Sequence, residues 1–136
     1  MDPRRPLSEQ GRAAVEALAS AAAVRGVKPA AVWHSGKLRA KQTAEAFWRA
    51  CNALADFHAS RDLQPDDPPE WIRDRLLGET HDVLDVVLVG HFPHLPRLLA
   101  LLVKDNRAAE HFPLHGCVLL ESLDEGQTWN ELWRLP

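Results

Sequence analysis

Residues Ala31 to Phe47 read AVWHSGKLRAKQTAEAF, and Asp85 to Leu102 read DVVLVGHFPHLPRLLALL. Each begins as a short apolar run, breaks at a polar loop carrying histidine, and continues into a helical pattern. Val83 to Gly90 is the clearest strand in the chain, β-branched and bounded by glycine. AAVWHS, residues 30–35, is a shorter one. Strands alternating with helices predict an α/β domain with a mostly parallel sheet. In open sheets of this kind, ligands bind beyond the carboxyl ends of the strands. His34, Ser35, Lys37 and Arg39 fall there after the first strand, and His91 and His94 after the second.

Working outward, Ser8 precedes an Ala-rich run and reads as the N-cap of a helix over Ser8 to Val24, which Arg25-Gly26 ends. Val15, Leu18 and Ala22 share one of its faces. A second helix is expected over Gly36 to Leu54, with Thr43, Ala46, Phe47, Ala50 and Leu54 at helical spacing. Asp56 to Pro69 reads as a loop, because PDDPP holds neither a helix nor a central strand. Glu70 to Leu77 reads as a short helix and Leu95 to Lys104 as a leucine-rich one. Asn106 to Pro113 reads as a loop with room for a short turn. Cys117 to Leu123 and Trp129 to Leu135 flank DEGQT as an antiparallel β-hairpin. With no repeat and no low-complexity linker, residues 1–136 are expected to form one domain.

A chain of 136 residues can bury a real core. Its hydrophobic fraction of 46% and charged fraction of 26% are those of an ordinary globular protein. The 16 basic and 19 acidic residues are spread along the chain and give a net charge of −3, with no basic stripe to follow a nucleic acid. No apolar run is long enough to cross a bilayer, and MDPRRPLSEQGR has no apolar core of a signal peptide. Cys51 and Cys117 show no metal or redox spacing and fit a reducing compartment, so a cytoplasmic protein is expected.

Why should a helix open on Lys37 and Arg39, where the backbone dipole already favours anions? Unpaired N–H groups, the dipole and two cations together outline an anion site, with phosphate as the natural ligand. Arg39 is the better clamp, since guanidinium meets phosphate oxygens in pairs. Other readings stand beside this one. Lys37 and Arg39 also read as solvated helix charges, and His91 as a hydrogen-bonded turn residue. His91-x-x-His94 is half of a metal site, completed only if His34, His111 or His115 converges on it; no metal and no cofactor are expected.

The segments also occur in a telling order. Arg5-Pro6-Leu7-Ser8-Glu9-Gln10-Gly11 comes first, then His34-Ser35-Gly36-Lys37-Leu38-Arg39-Ala40 with Gln42-Thr43-Ala44, then Val87-Leu88-Val89-Gly90-His91. This set, with Leu63 to Trp71 (LQPDDPPEW), resembles the histidine phosphatase superfamily and, within it, the SixA-type phosphohistidine phosphatases. The resemblance implies a three-layer, phosphoglycerate-mutase-like α/β sandwich. It implies phosphate-binding and catalytic-pocket roles for Arg39 and His91, a loop position near the phosphate for Ser35, and a rim position for Arg5. Metal-independent removal of phosphate from phosphohistidine on a signalling protein, or from a small phosphoester, is the implied activity. Asp66, Asp67, Glu70 and His94 are candidates for the general acid by position.

One part of the pattern does not occur. The family carries an Arg-His-Gly triplet at the end of its first strand, whose histidine is the nucleophile, and no such triplet exists here. Met1-Asp2-Pro3 stands almost directly before the segment that follows that strand, so a first strand and loop of about 20 residues are expected to be missing. Without the nucleophile the expected chain is a phosphoryl-binding pocket with most turnover removed. Its alternatives are a phosphohistidine-binding module and a homodimer that completes the sheet in trans.

Overall fold

The computed structural model describes residues 2–77 and 85–136. Ser8 caps the first helix, α1 (Glu9–Val24), by accepting from the Gly11 N–H at 3.0 Å. Strand β1 (Ala31–His34) follows, then α2 (Leu38–Cys51), β2 (Asp56–Ala59), a 3-10 turn (Arg61–Leu63) and α3 (Glu70–Leu76). Strand β3 (Val86–Val89) leads into α4 (His94–Val103), a second 3-10 turn (Asn106–His111), and the hairpin of β4 (Cys117–Glu121) and β5 (Asn130–Leu135).

Strand β1 is central. It pairs in parallel with β2 on one side and with β3 on the other, Val32 opposite Phe57 and Val87. Alternation along the strand sends successive side chains to opposite faces. Val32 meets Ala40 and Ala44 of α2, with Ala55 and Val89, on one face. Trp33 packs on the other, against Leu63, Ile72, Leu98 and Leu102 from α3, α4 and the first 3-10 turn. Helix α1 lies on α2 through Ala19, Ala22, Ala46 and Phe47. The result is helix, sheet, helix in three layers, as the α/β reading requires. Leu63 and Ile72 are fully buried, and truncating either to alanine costs about 2–5 kcal/mol.

The hairpin belongs to the same middle layer. Cys117 and Trp133 pack on the α1–α2 cluster, while Leu120 and Trp129 pack on the α3–α4 cluster. Val87 and Leu88 of β3 reach the same two clusters. Yet among the described residues β4 is hydrogen-bonded to β5 and β3 to β1, so the layer consists of a parallel three-stranded sheet and a separate antiparallel pair.

Several boundaries differ from the sequence reading by one to three residues, and one strand was not expected. Asp56 to Ala59, expected as loop, is strand β2; it is an edge strand with a single half-buried apolar residue, Phe57, so no hydrophobic alternation announces it. The second helix ends at Cys51, and Leu54 is 94% exposed rather than packed. The Asn52 carboxamide explains the stop: it donates to the Pro29 carbonyl at 2.8 Å and accepts from the Leu54 N–H at 3.1 Å, turning the chain out of the helix. The short turn allowed within Asn106 to Pro113 is a 3-10 turn over Asn106–His111, whose Asp105 cap accepts from the Arg107 N–H. Of the expected strand Val83 to Gly90, Val83 and Leu84 lie outside the described residues.

Candidate active site

The register that sets His34 opposite Val89 ends two neighbouring parallel strands at the same level. Each then leaves the sheet through a glycine. Gly36 has φ of +92°, a conformation that favours glycine. Gly90 has no room for a side chain without displacement: a Cβ there would lie 3.3 Å from the Leu63 carbonyl oxygen and 3.5 Å from Leu95. The two exits bring Ser35 Oγ to 2.6 Å from His91 Nε2. Ser35 is buried, and its Oγ also accepts from the Lys37 N–H at 3.3 Å.

Burial first, and then Lys37, Arg39 and His94, push the His91 ring down to a pKa of about 4. The ring is therefore neutral at neutral pH. The same fact answers the question posed by the helix start: Lys37 and Arg39 stand close enough to His91 to act on it electrostatically. A dianion bound among them would reverse the sign of that field and draw a proton onto the imidazole.

The N-terminal segment runs beside this helix start. Pro3 accepts from the Leu38 N–H at 2.9 Å, and the Gln42 carboxamide oxygen accepts from the Leu7 N–H at 2.8 Å. Arg5, between them, is exposed. The Arg39 carbonyl accepts from the Thr43 hydroxyl at 3.0 Å. The structure thus gathers Ser35, His91, Lys37 and Arg39, and carries Arg5 on the segment alongside.

His34 is turned away. Its ring lies 5.1 Å from that of Phe57, and Nδ1 accepts from the Gly36 N–H at 3.0 Å. Burial and Lys41 hold its pKa below the ordinary value, in keeping with that acceptor role. His94 is fully buried at the start of α4, with neither ring nitrogen hydrogen-bonded. Burial lowers its pKa while Asp67 and Asp62 pull the other way. Asp66 and Glu70 are exposed, and Asp67 accepts from the Gln64 N–H at 2.8 Å. Among the described residues no three His, Cys, Asp or Glu side chains are grouped to hold a metal ion.

Gln64 is the residue that sequence reading passed over. It sits in LQPDDPP, where nothing in the apolar pattern marks it, and its Nε2 donates to the Ser35 carbonyl at 2.5 Å.

A cavity of about 480 Å³ lies elsewhere, bounded by Val103, Arg107, His111, Trp129 and Arg134. Its cations are spoken for. Arg134 binds both oxygens of Glu131, at 2.7 and 2.6 Å, and also the His111 carbonyl, while Arg107 pairs with Asp105. It has the shape of a pocket without the charge of an anion site.

Residues 2–67 match the sequence pattern of the histidine phosphatase superfamily (branch 1). No curated protein matches the chain. Among solved structures, the chain is similar to the protein assigned as the phosphohistidine phosphatase SixA of Agrobacterium tumefaciens. That likeness has 26% identity and a TM-score of 0.84 over 100% of this chain and 86% of the other. It also shares the fold of a protein histidine phosphatase SixA complexed with tungstate, with 22% identity and a TM-score of 0.86 over 99% and 86% of the two chains. Among the described residues no helix is long and apolar enough to cross a membrane.

Proposed function

We propose, for a chain that has the fold of the histidine phosphatase superfamily and carries its sequence pattern, that the ends of β1 and β3 bind the phosphoryl group of phosphohistidine on a signalling protein, or of a small phosphoester, in the cytoplasm. The observation that carries this reading is the Ser35–His91 pair, 2.6 Å apart, in the positive field of Lys37 and Arg39. Arg39 supplies the paired donors for two phosphoryl oxygens, and His91 donates to a third once the dianion has raised its pKa. Ser35 holds the imidazole at the right angle, and Arg5 stands at the rim.

Hydrolysis in this family's manner needs a histidine that attacks phosphorus and is released by water. His34 does not serve, because its ring is packed on Phe57 and its Nδ1 is engaged. The reading is therefore a SixA-like phosphohistidine phosphatase pocket whose phosphoryl ligands are present, in a sequence without the family's Arg-His-Gly triplet. The alternative is a binding module that holds phosphohistidine without turning it over. A second copy of the chain pairing on the edges of β3 and β4 is the partner reading that the divided middle layer favours.

Incubation with a phosphohistidine peptide separates these. The expected result is saturable binding that Arg39→Ala abolishes, with phosphate released at the peptide's uncatalysed rate. Arg39-dependent release above that rate would make the chain a complete phosphatase. Absence of binding to the peptide and to tungstate alike would remove the pocket. Sedimentation across dilution tests the pairing: a monomer at all concentrations excludes it.

A further inference from the structure

The peptide unit between Ser35 and Gly36 is held at both of its ends. Its carbonyl accepts from Gln64 Nε2 at 2.5 Å, and its N–H donates to His34 Nδ1 at 3.0 Å. Both holders are themselves fixed. Gln64 donates its own N–H to the Asp67 carboxylate at 2.8 Å, and Asp67 returns its N–H to the Gln64 carbonyl at 3.2 Å. His34 ends a strand, is buried, and gives its carbonyl to the Ser60 N–H at 2.7 Å.

A peptide plane has one orientation left to choose, its rotation about the Cα–Cα axis. Two hydrogen bonds from opposite sides remove that freedom. The Ser35 Cβ leaves the backbone at one end of this plane, so fixing the plane aims Oγ. That aim sets the 2.6 Å contact with His91. Gly36, at φ of +92°, makes the plane easy to misplace without such restraint, since glycine has several alternatives close in energy.

We propose that Gln64 is a positioning residue: with His34 it clamps the Ser35–Gly36 peptide and thereby aims Ser35 Oγ at His91, so that the imidazole meets a bound phosphoryl oxygen at the right angle. The assignment rests on the phosphoryl-binding reading of this site. Gln64 touches no phosphoryl group; it acts through Ser35. A carboxamide suits the task because its NH2 donates to a buried carbonyl without bringing a charge, whereas a carboxylate in its place repels that carbonyl.

The test is a double-mutant cycle on tungstate affinity, using Gln64→Ala, Ser35→Ala and the pair in the full chain. Each single change is expected to weaken tungstate about tenfold, and the pair no more than either alone, because both break one linkage. Gln64→Glu is expected to lose as much as Gln64→Ala at neutral pH. Losses that multiply in the pair overturn the proposal, and so does wild-type affinity in Gln64→Ala. A measurement without ligand runs beside this: hydrogen exchange at the Gly36 amide. It is expected to quicken about tenfold or more in Gln64→Ala while exchange in α1 stays as in the wild type. Unchanged Gly36 exchange overturns the clamp. If the wild-type chain binds no tungstate, the phosphoryl reading falls, and the Gly36 exchange alone decides whether Gln64 clamps the peptide.

Discussion

At the ends of β1 and β3, the charged neighbours that act on His91 are, among the described residues, Lys37, Arg39 and His94. At the far end of the hairpin, Arg134 is gripped by Glu131 and the His111 carbonyl, and Arg107 by Asp105. Both regions hold two cations, at least one histidine and a loop. A cavity of about 480 Å³ lies at the hairpin end. The difference is in bookkeeping of charge, not in residue types. A cation that already has a carboxylate within hydrogen-bond distance gains little by meeting a phosphate, because it must give up one anion to take another. Lys37 and Arg39 lower the His91 pKa, so their positive field reaches outward to the imidazole. An anion site is recognised by that outward field and by donors ready to converge, more than by volume.

The strongest way to break the comparison is to remove one arginine from each region. Arg39→Ala is expected to weaken tungstate by about a hundredfold, as the loss of a charge-assisted pair of bonds implies. Arg134→Ala is expected to leave tungstate affinity within about twofold, since its charge is already neutralised where it stands. Calorimetric titration of both variants checks this. Equal losses would mean that the hairpin cavity, and not the strand ends, takes the anion.

The two regions should also titrate in separate windows. His91 has an ordinary value of 6.5 and a folded value of about 4. Below 6.5 the unfolded chain takes up a proton that the folded one refuses. The stability it contributes is therefore complete above 6.5 and is lost as pH falls toward 4. His34 and His94 are lowered in the same direction and add to this slope. At the hairpin the group is a carboxylate: Arg134 holds Glu131 below its ordinary 4.5, so its contribution stands above that value and is lost only in more acid solution. Denaturant unfolding across this range is expected to show a fall beginning near 6.5 that His91→Gln reduces but does not abolish. A curve that His91→Gln leaves unchanged would place the imidazole in ordinary water rather than beside Lys37 and Arg39. Tungstate binding should likewise take up a fraction of a proton at about pH 6, measured as a dependence of the binding heat on buffer.

How far was this readable in the sequence? The two strand exits were, because β-branched runs bounded by glycine are a strong local signal, and the structure has Ser35, Arg39 and His91 at or just past those exits. Arg5 was given a rim position only by the family resemblance, and the structure carries it on the segment bonded to the start of α2. Strand β2 was not readable. Asp56, His58 and Ala59 are exposed, and what holds them is the backbone ladder to β1, which leaves no trace in side-chain pattern. Gln64 was invisible for a related reason: its contribution is one hydrogen bond to a carbonyl 29 residues away in sequence. The division of the middle layer was also unreadable, since pairing between strands is a property of register and not of composition.

The smallest effect offers the sharpest test, because it asks the hairpin end to become what the strand ends are. Glu131 and Arg134 are both less than a third exposed and joined by two bonds, which puts their pair toward the upper end of the range for surface ion pairs, about 1 kcal/mol. Glu131→Gln keeps the shape and removes the carboxylate. Stability should drop by about that amount, a shift of a few degrees in Tm. Arg134 then stands over the cavity with the His111 carbonyl as its partner among the described residues, and Arg107 lies on the same wall. If charge accounting is what separates the two regions, this variant acquires a second, weak tungstate site that salt abolishes, while the Arg39 site is untouched. If no second site appears even at low salt, an outward field is insufficient by itself. Converging donors held by buried backbone, as at Ser35 and His91, would then be the part of the strand-end site that a hairpin cannot imitate.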